Sequence, residues 1–61
     1  ASKAILAHNH PSGMALPSKD DIITTINTRD ALKLIDVRLI DHIIVADHDY
    51  ISLADTDLDL F

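Results

Sequence analysis

The chain has 61 residues, with ten Asp and no Glu against five Lys and Arg, and a net charge of −5 at pH 7. A domain of this size buries only about 60% of the surface its unfolded chain exposes, so a staple or a partner is expected, and a homo-oligomer is one arrangement that would supply it. The absence of cysteine excludes disulfides, thiolate zinc and thiol nucleophiles, and five scattered cations in an acidic chain argue against direct nucleic-acid binding by this segment.

The first residues, Ala1 to Leu6, contain no Met, no charged leader and no long apolar run. Neither a signal peptide nor a membrane span is expected, and a cytoplasmic setting is the default. Strand-like sequence begins at once, as in a piece of a larger domain. Lys3 to His8 is a short apolar run that should end as a buried strand at Pro11, which has no amide hydrogen for a sheet ladder. Pro11 to Pro17, with both prolines and the single glycine, reads as a loop.

From Ser18 to Asp36 the pattern is helical. Ile22, Ile23, Ile26, Leu34 and Ile35 fall near one face, and Asp20 and Asp21 sit in the first turn, where the helix dipole favours negative charge. Val37 to Ala46 is β-branched and apolar, and Asp47-His48-Asp49 turns it into Tyr50 to Ala54, a predicted hairpin. The alternating acidic residues from Asp55 to Phe61 suggest an edge strand or a tail. The order strand, loop, helix, strand, strand predicts an α/β layer, a sheet covered by at least one helix.

One stretch carries chemistry. In a strand, residues i and i+2 leave the same face roughly 6 to 7 Å apart along the chain, so His8 and His10 point together and Asn9 points away. Two imidazoles so placed can converge on one ion, and a catalytic zinc takes three protein ligands and leaves a fourth position to water. Asp21, on the first helical turn, is the third candidate.

Each part has a plainer explanation. Ser18 followed three residues later by Asp21 is close to a capping box, and an H-x-H pair can be hydrogen-bonded or simply surface-exposed. The whole pattern, H-x-H, seven residues, S-x-x-D, should arise by chance in roughly one chain in 500 of this composition. The combination therefore favours the metal.

"HNHPSGMALPSKDD" resembles the JAMM, or MPN-type, metallopeptidase motif without a gap, and together with "DHIIV" it is most similar to the bacterial RadC family. The resemblance runs from about Ile5 to Ser52. It implies that His8, His10 and Asp21 bind zinc, that Ser18 helps to hold a tetrahedral intermediate, and that the fold is part of a cytidine-deaminase-like three-layer sandwich. Residues 1–61 would then be the C-terminal part of one such domain. The implied activity is metallopeptidase or isopeptidase-type hydrolysis, with water activated by the zinc attacking an amide of a peptide substrate.

The family's proton carrier is a glutamate on an earlier strand, and this chain has none. General acid–base catalysis contributes typically about 10² to 10⁴-fold, so the chain alone is expected to hydrolyse little. Asn9 and Ser12 flank the site and could orient its ligands through hydrogen bonds, although Ser12-Gly13 also suits a plain turn. His42, inside an apolar strand, is expected to be a hydrogen-bonded structural residue, and His48 a solvated turn residue. Two other functions compete with the enzyme: an accessory or binding module associated with DNA repair, and a structural metal, which would require a fourth protein ligand.

Overall fold

The computed structural model describes residues 2–11 and 13–61, in which three strands, one α-helix and one short 3-10 turn follow each other. Strand β1 (Ser2–Asn9) pairs in parallel with β2 (Val37–Val45), and β2 pairs antiparallel with β3 (Tyr50–Ser52), giving the sheet order β1-β2-β3. Helix α1 (Lys19–Lys33) forms the crossover between the two parallel strands. The mixed α/β class and the order strand, helix, strand, strand are those the sequence predicts. Strand β1 ends as Pro11 requires, with the His10 amide making one last bond to the Val45 carbonyl at 2.8 Å.

The helix covers one face of the sheet. On β1, Ala4, Leu6 and His8 are half-buried, whereas Lys3, Ile5, Ala7 and Asn9 are exposed, the period-two pattern of a strand packed on one side only. On β2 that alternation is broken. Ala4 pairs with Leu39 but Ile5 pairs with Asp41, so Ile40 is an extra residue in the ladder. This bulge brings Leu39 onto the same face as His42 and Ile44, and all three are buried against the helix side. The open face keeps Ile5 and Tyr50 at 59% and 69% exposure, so the described residues build two layers.

Ile44, Leu53 and Leu60 form the core, with Ile22, Ile26, Ile51 and Phe61 packed against them. Burying a side chain such as Ile44 completely contributes roughly 1.5 to 3 kcal/mol. Only part of the expected apolar helix face takes part. Ile22 and Ile26 do, but Ile23 is exposed, and Leu34 and Ile35 lie beyond the helix at 88% and 69% exposure. The helix stops at Lys33 because the next three amides bond three residues back, Leu34 to Ala31, Ile35 to Leu32 and Asp36 to Lys33, tightening the last turn. Asp36 then takes φ 60°, a left-handed conformation that a short polar side chain tolerates.

The second hairpin strand is also shorter than expected. After Ser52 the chain turns into a 3-10 turn, η1 (Leu53–Asp55), because the Asp41 carboxylate accepts from the Ser52 hydroxyl at 2.6 Å and the Ala54 amide at 3.0 Å. That bend turns Leu53 into the core. The last residues form no edge strand. They are a tail that folds back, burying Leu60, and the Arg29 guanidinium donates to the Leu60 carbonyl at 2.8 Å.

Candidate metal centre

The site lies where the C-terminal end of β1 meets the N-terminus of α1, the position at which parallel α/β units commonly bind ligands. Strand geometry places His8 and His10 on the helix side. The helix places Asp21 through a complete capping box: the Asp21 amide donates to the Ser18 hydroxyl oxygen at 3.1 Å, and the Ser18 amide donates to Asp21 Oδ2 at 2.7 Å. Gly13, at φ +79°, supplies the turn that an L side chain would resist. The loop then returns close enough for the Met14 carbonyl to lie 3.2 Å from His10 Nδ1.

His8 Nε2 stands 3.0 Å from Asp21 Oδ1, and His10 Nε2 stands 2.9 Å from Asp21 Oδ2. One ligand atom from each of the three residues lies within 4.8 Å of the others, a set that could hold a metal ion. The protons can be assigned for His10. A carbonyl only accepts, so His10 Nδ1 carries the hydrogen toward Met14, and in the neutral ring it is Nε2 that has the lone pair facing a carboxylate oxygen. Two acceptors at that distance need a cation between them, either a proton or a metal. Nitrogen and carboxylate donors bind a four-coordinate zinc at about 2.0 to 2.2 Å, which sets neighbouring donors roughly 3.3 Å apart. The two histidine–carboxylate contacts, made to different oxygens of Asp21, would open by a few tenths of an ångström, while the widest separation in the set, up to 4.8 Å, would close; the donor set fits by its chemistry and convergence.

Comparison with known proteins places the chain in a family. The RadC-like JAB domain family matches residues 1–58. This chain belongs to that family. It is 53% identical over 58 residues to a UPF0758 protein of Marinomonas sp. (strain MWYL1) and 50% identical over 58 residues to one of Nitrosococcus oceani, covering 95% of the chain and 26% of each relative. A UPF0758 protein of Coxiella burnetii is 52% identical over 54 residues, 88% of the chain and 24% of the relative. The chain thus spans about a quarter of the length of these relatives.

Within this RadC-like domain, burial pushes the Asp21 carboxyl up, but the Ser18 amide and side chain, followed by His10 and His8, outweigh it and leave the group below its usual range. Asp21 is therefore a carboxylate at neutral pH, as a ligand must be. Ser18 sits at its helix cap, exposed, with its hydroxyl oxygen used as an acceptor. Asn9 is exposed on the opposite face of β1 and is not brought to the cluster. Ser12 lies outside the described residues. His48 is exposed in the hairpin turn.

The addition that sequence reasoning did not place at the site is His42. It is 2% exposed, with Nε2 2.7 Å from His8 Nδ1 and Nδ1 2.6 Å from the hydroxyl of Thr25, which is wholly buried. Burial, then His8 beside it, pushes the His42 imidazole below its usual range, against the opposing pull of Asp21 and Asp41. No local sequence pattern signalled it: the parallel register pairs Leu6 with His42 and so puts His42 diagonal to His8 on the same face. Among the described residues, no helix is long and apolar enough to cross a membrane.

Proposed function

We propose that this chain carries the metal-binding part of a zinc-dependent amide hydrolase of peptidase or isopeptidase type, with His8, His10 and Asp21 as ligands and Ser18 as an oxyanion donor. The observation that carries the reading is the convergence of two imidazole nitrogens on one capped, ionised carboxylate. Two histidines and one carboxylate, with a position left over, is a ligand set used by catalytic zinc rather than structural zinc. When bound there, zinc lowers the pKa of water to about 7 and polarises a carbonyl.

The chain's own residues would divide the remaining work. Asp21 supplies the negative charge that balances the cation, and the capping box holds its carboxylate in one orientation. The Ser18 hydroxyl can accept from the helix amide while its hydrogen points outward, so capping is compatible with donating to a developing oxyanion. No glutamate is present to carry a proton to the leaving amine, so hydrolysis needs a base from outside these residues.

Metal analysis of the full-length protein tests the reading. Wild type should bind one zinc, and His8→Ala and Asp21→Ala should each lose it while retaining the circular dichroism of the fold. Stoichiometric zinc in both variants would remove the ligand assignment. A zinc-loaded wild type that cleaves no amide-linked substrate would instead leave a non-catalytic accessory or binding module.

A further inference from the structure

The hydrogen bonds behind His8 run in one direction only. The Thr25 hydroxyl lies 2.7 Å from the Asp21 carbonyl and 2.6 Å from His42 Nδ1. A carbonyl cannot donate, so the single hydroxyl hydrogen of Thr25 goes to Asp21, and Thr25 must accept from His42. His42 Nδ1 therefore bears a hydrogen. In the neutral ring, Nε2 is then the acceptor, and the atom facing it at 2.7 Å, His8 Nδ1, must donate. With its hydrogen on Nδ1, His8 has its lone pair on Nε2, the atom directed at Asp21 Oδ1.

We infer that Thr25 and His42 are positioning residues that fix the tautomer and ring orientation of His8, committing its Nε2 to the metal. The inference rests on the ligand assignment proposed above and adds two residues to it. The relay begins at a main-chain carbonyl of Asp21 itself, so one helical turn sets the position of the carboxylate ligand and the protonation of an imidazole ligand on a separate strand. His10 reaches the same tautomer by a different route, through the Met14 carbonyl. Both imidazoles thereby present Nε2 to the same carboxylate. The His8 route is buried and made by side chains, so substitution can interrupt it, whereas a main-chain carbonyl cannot be removed that way.

Partners behind a metal-bound imidazole are typically worth about 10 to 100-fold in metal affinity. In the full-length protein, zinc competition against a chromophoric chelator should show His42→Leu weaker by about that factor. Thr25→Val should also be weaker, because His42 loses its acceptor and is free to carry its hydrogen on Nε2, where it opposes the His8 hydrogen. Thr25→Ser should restore wild-type affinity. Long-range proton–nitrogen NMR of the zinc-loaded wild type should show His8 metallated at Nε2 and protonated at Nδ1, and His42 protonated at Nδ1 alone, a signature that a merely space-filling role would not require.

His8→Ala separates the two levels. If it leaves zinc affinity unchanged, the ligand assignment fails and takes the inference with it. If it abolishes binding while His42→Leu and Thr25→Val bind like wild type, the inference alone is overturned. A wild-type spectrum with the His42 hydrogen on Nε2, or the metal on His8 Nδ1, overturns it as well, and that spectrum decides the matter if a variant does not fold.

Discussion

The two ends of helix α1 are held by different physics. At its N-terminus, Asp21 and Thr25 meet His8, His10 and His42 through directed contacts of 2.6 to 3.0 Å, and Ser18 caps the helix by holding Asp21 at 2.7 and 3.1 Å. Among the described residues, no buried side-chain nitrogen or oxygen lacks a partner. At its C-terminus, Arg29 and Lys33 border an open cleft of about 440 Å³ with Val37, Leu39, Leu60 and Phe61. That end depends on apolar area and on one cationic hydrogen bond to the returning tail. Hydrogen bonds select one geometry, whereas apolar contact tolerates several, so the end suited to chemistry is the one where proton positions are specified.

The largest expected effect on stability is at the apolar end. Leu60 is buried in the core with Ile44 and Leu53, and Leu60→Ala should cost about 2 to 5 kcal/mol in urea unfolding. The neighbouring cleft gives side chains room to relax, which favours the lower part of that range. Zinc affinity of the folded variant should equal that of wild type. A matching loss of zinc affinity would mean that the two ends are not separable.

Acid sharpens the same contrast. The His42 imidazole is held below its ordinary value, so as pH falls below about 6.5 the unfolded chain takes up the proton first and metal-free stability declines. His8, His10, Asp21 and Asp41 all face this group, and the two carboxylates limit the decline without reversing it. Asp21 and Asp41 are themselves held low, Asp41 by the Ser52 hydroxyl and the Ala54 and His42 amides, which outweigh its burial. Their contribution is present above about 3.8 and is lost as pH falls through their lower folded values. Thermal melts should show Leu60→Ala displaced from wild type by a similar amount at each pH, while His42→Leu flattens the decline that starts below about 6.5.

The polar end was legible in the sequence because its residues are close in the chain. His8 to Asp21 span one strand end, one loop and one helical turn, and strand and capping geometry suffice to bring them together. The apolar end depends on distant segments meeting. Leu60 alternates with Asp57 and Asp59 and so resembles an edge strand; it is buried against Ile44 and Leu53, with Arg29 bonding its carbonyl from 31 residues away. Leu34 and Ile35 continue a helical apolar pattern, yet the last turn tightens into bonds three residues back and ends at the left-handed Asp36, which leaves them exposed. His42 lies between these cases. Alternation puts it on the face of Ile44, but its meeting with His8 is set by strand register, which no local pattern contains.

The smallest stability effect is expected at the cap. Ser18→Ala removes the hydroxyl that accepts from the Asp21 amide, at a cost of about 1 kcal/mol, whereas glycine at an N-cap costs only a few tenths. Comparing the two variants separates the two roles of one hydroxyl. If Ser18 only caps the helix, hydrolysis by the zinc-loaded full-length protein should follow stability, lower in Ser18→Ala and near wild type in Ser18→Gly. If the hydroxyl also stabilises an oxyanion, both variants should lose about 10² to 10³-fold in kcat, because neither retains the donor. The proposed function requires the second pattern. Near-normal turnover in Ser18→Gly would reduce Ser18 to a cap and make the polar end a metal site whose electrostatic stabilisation comes from the cation alone.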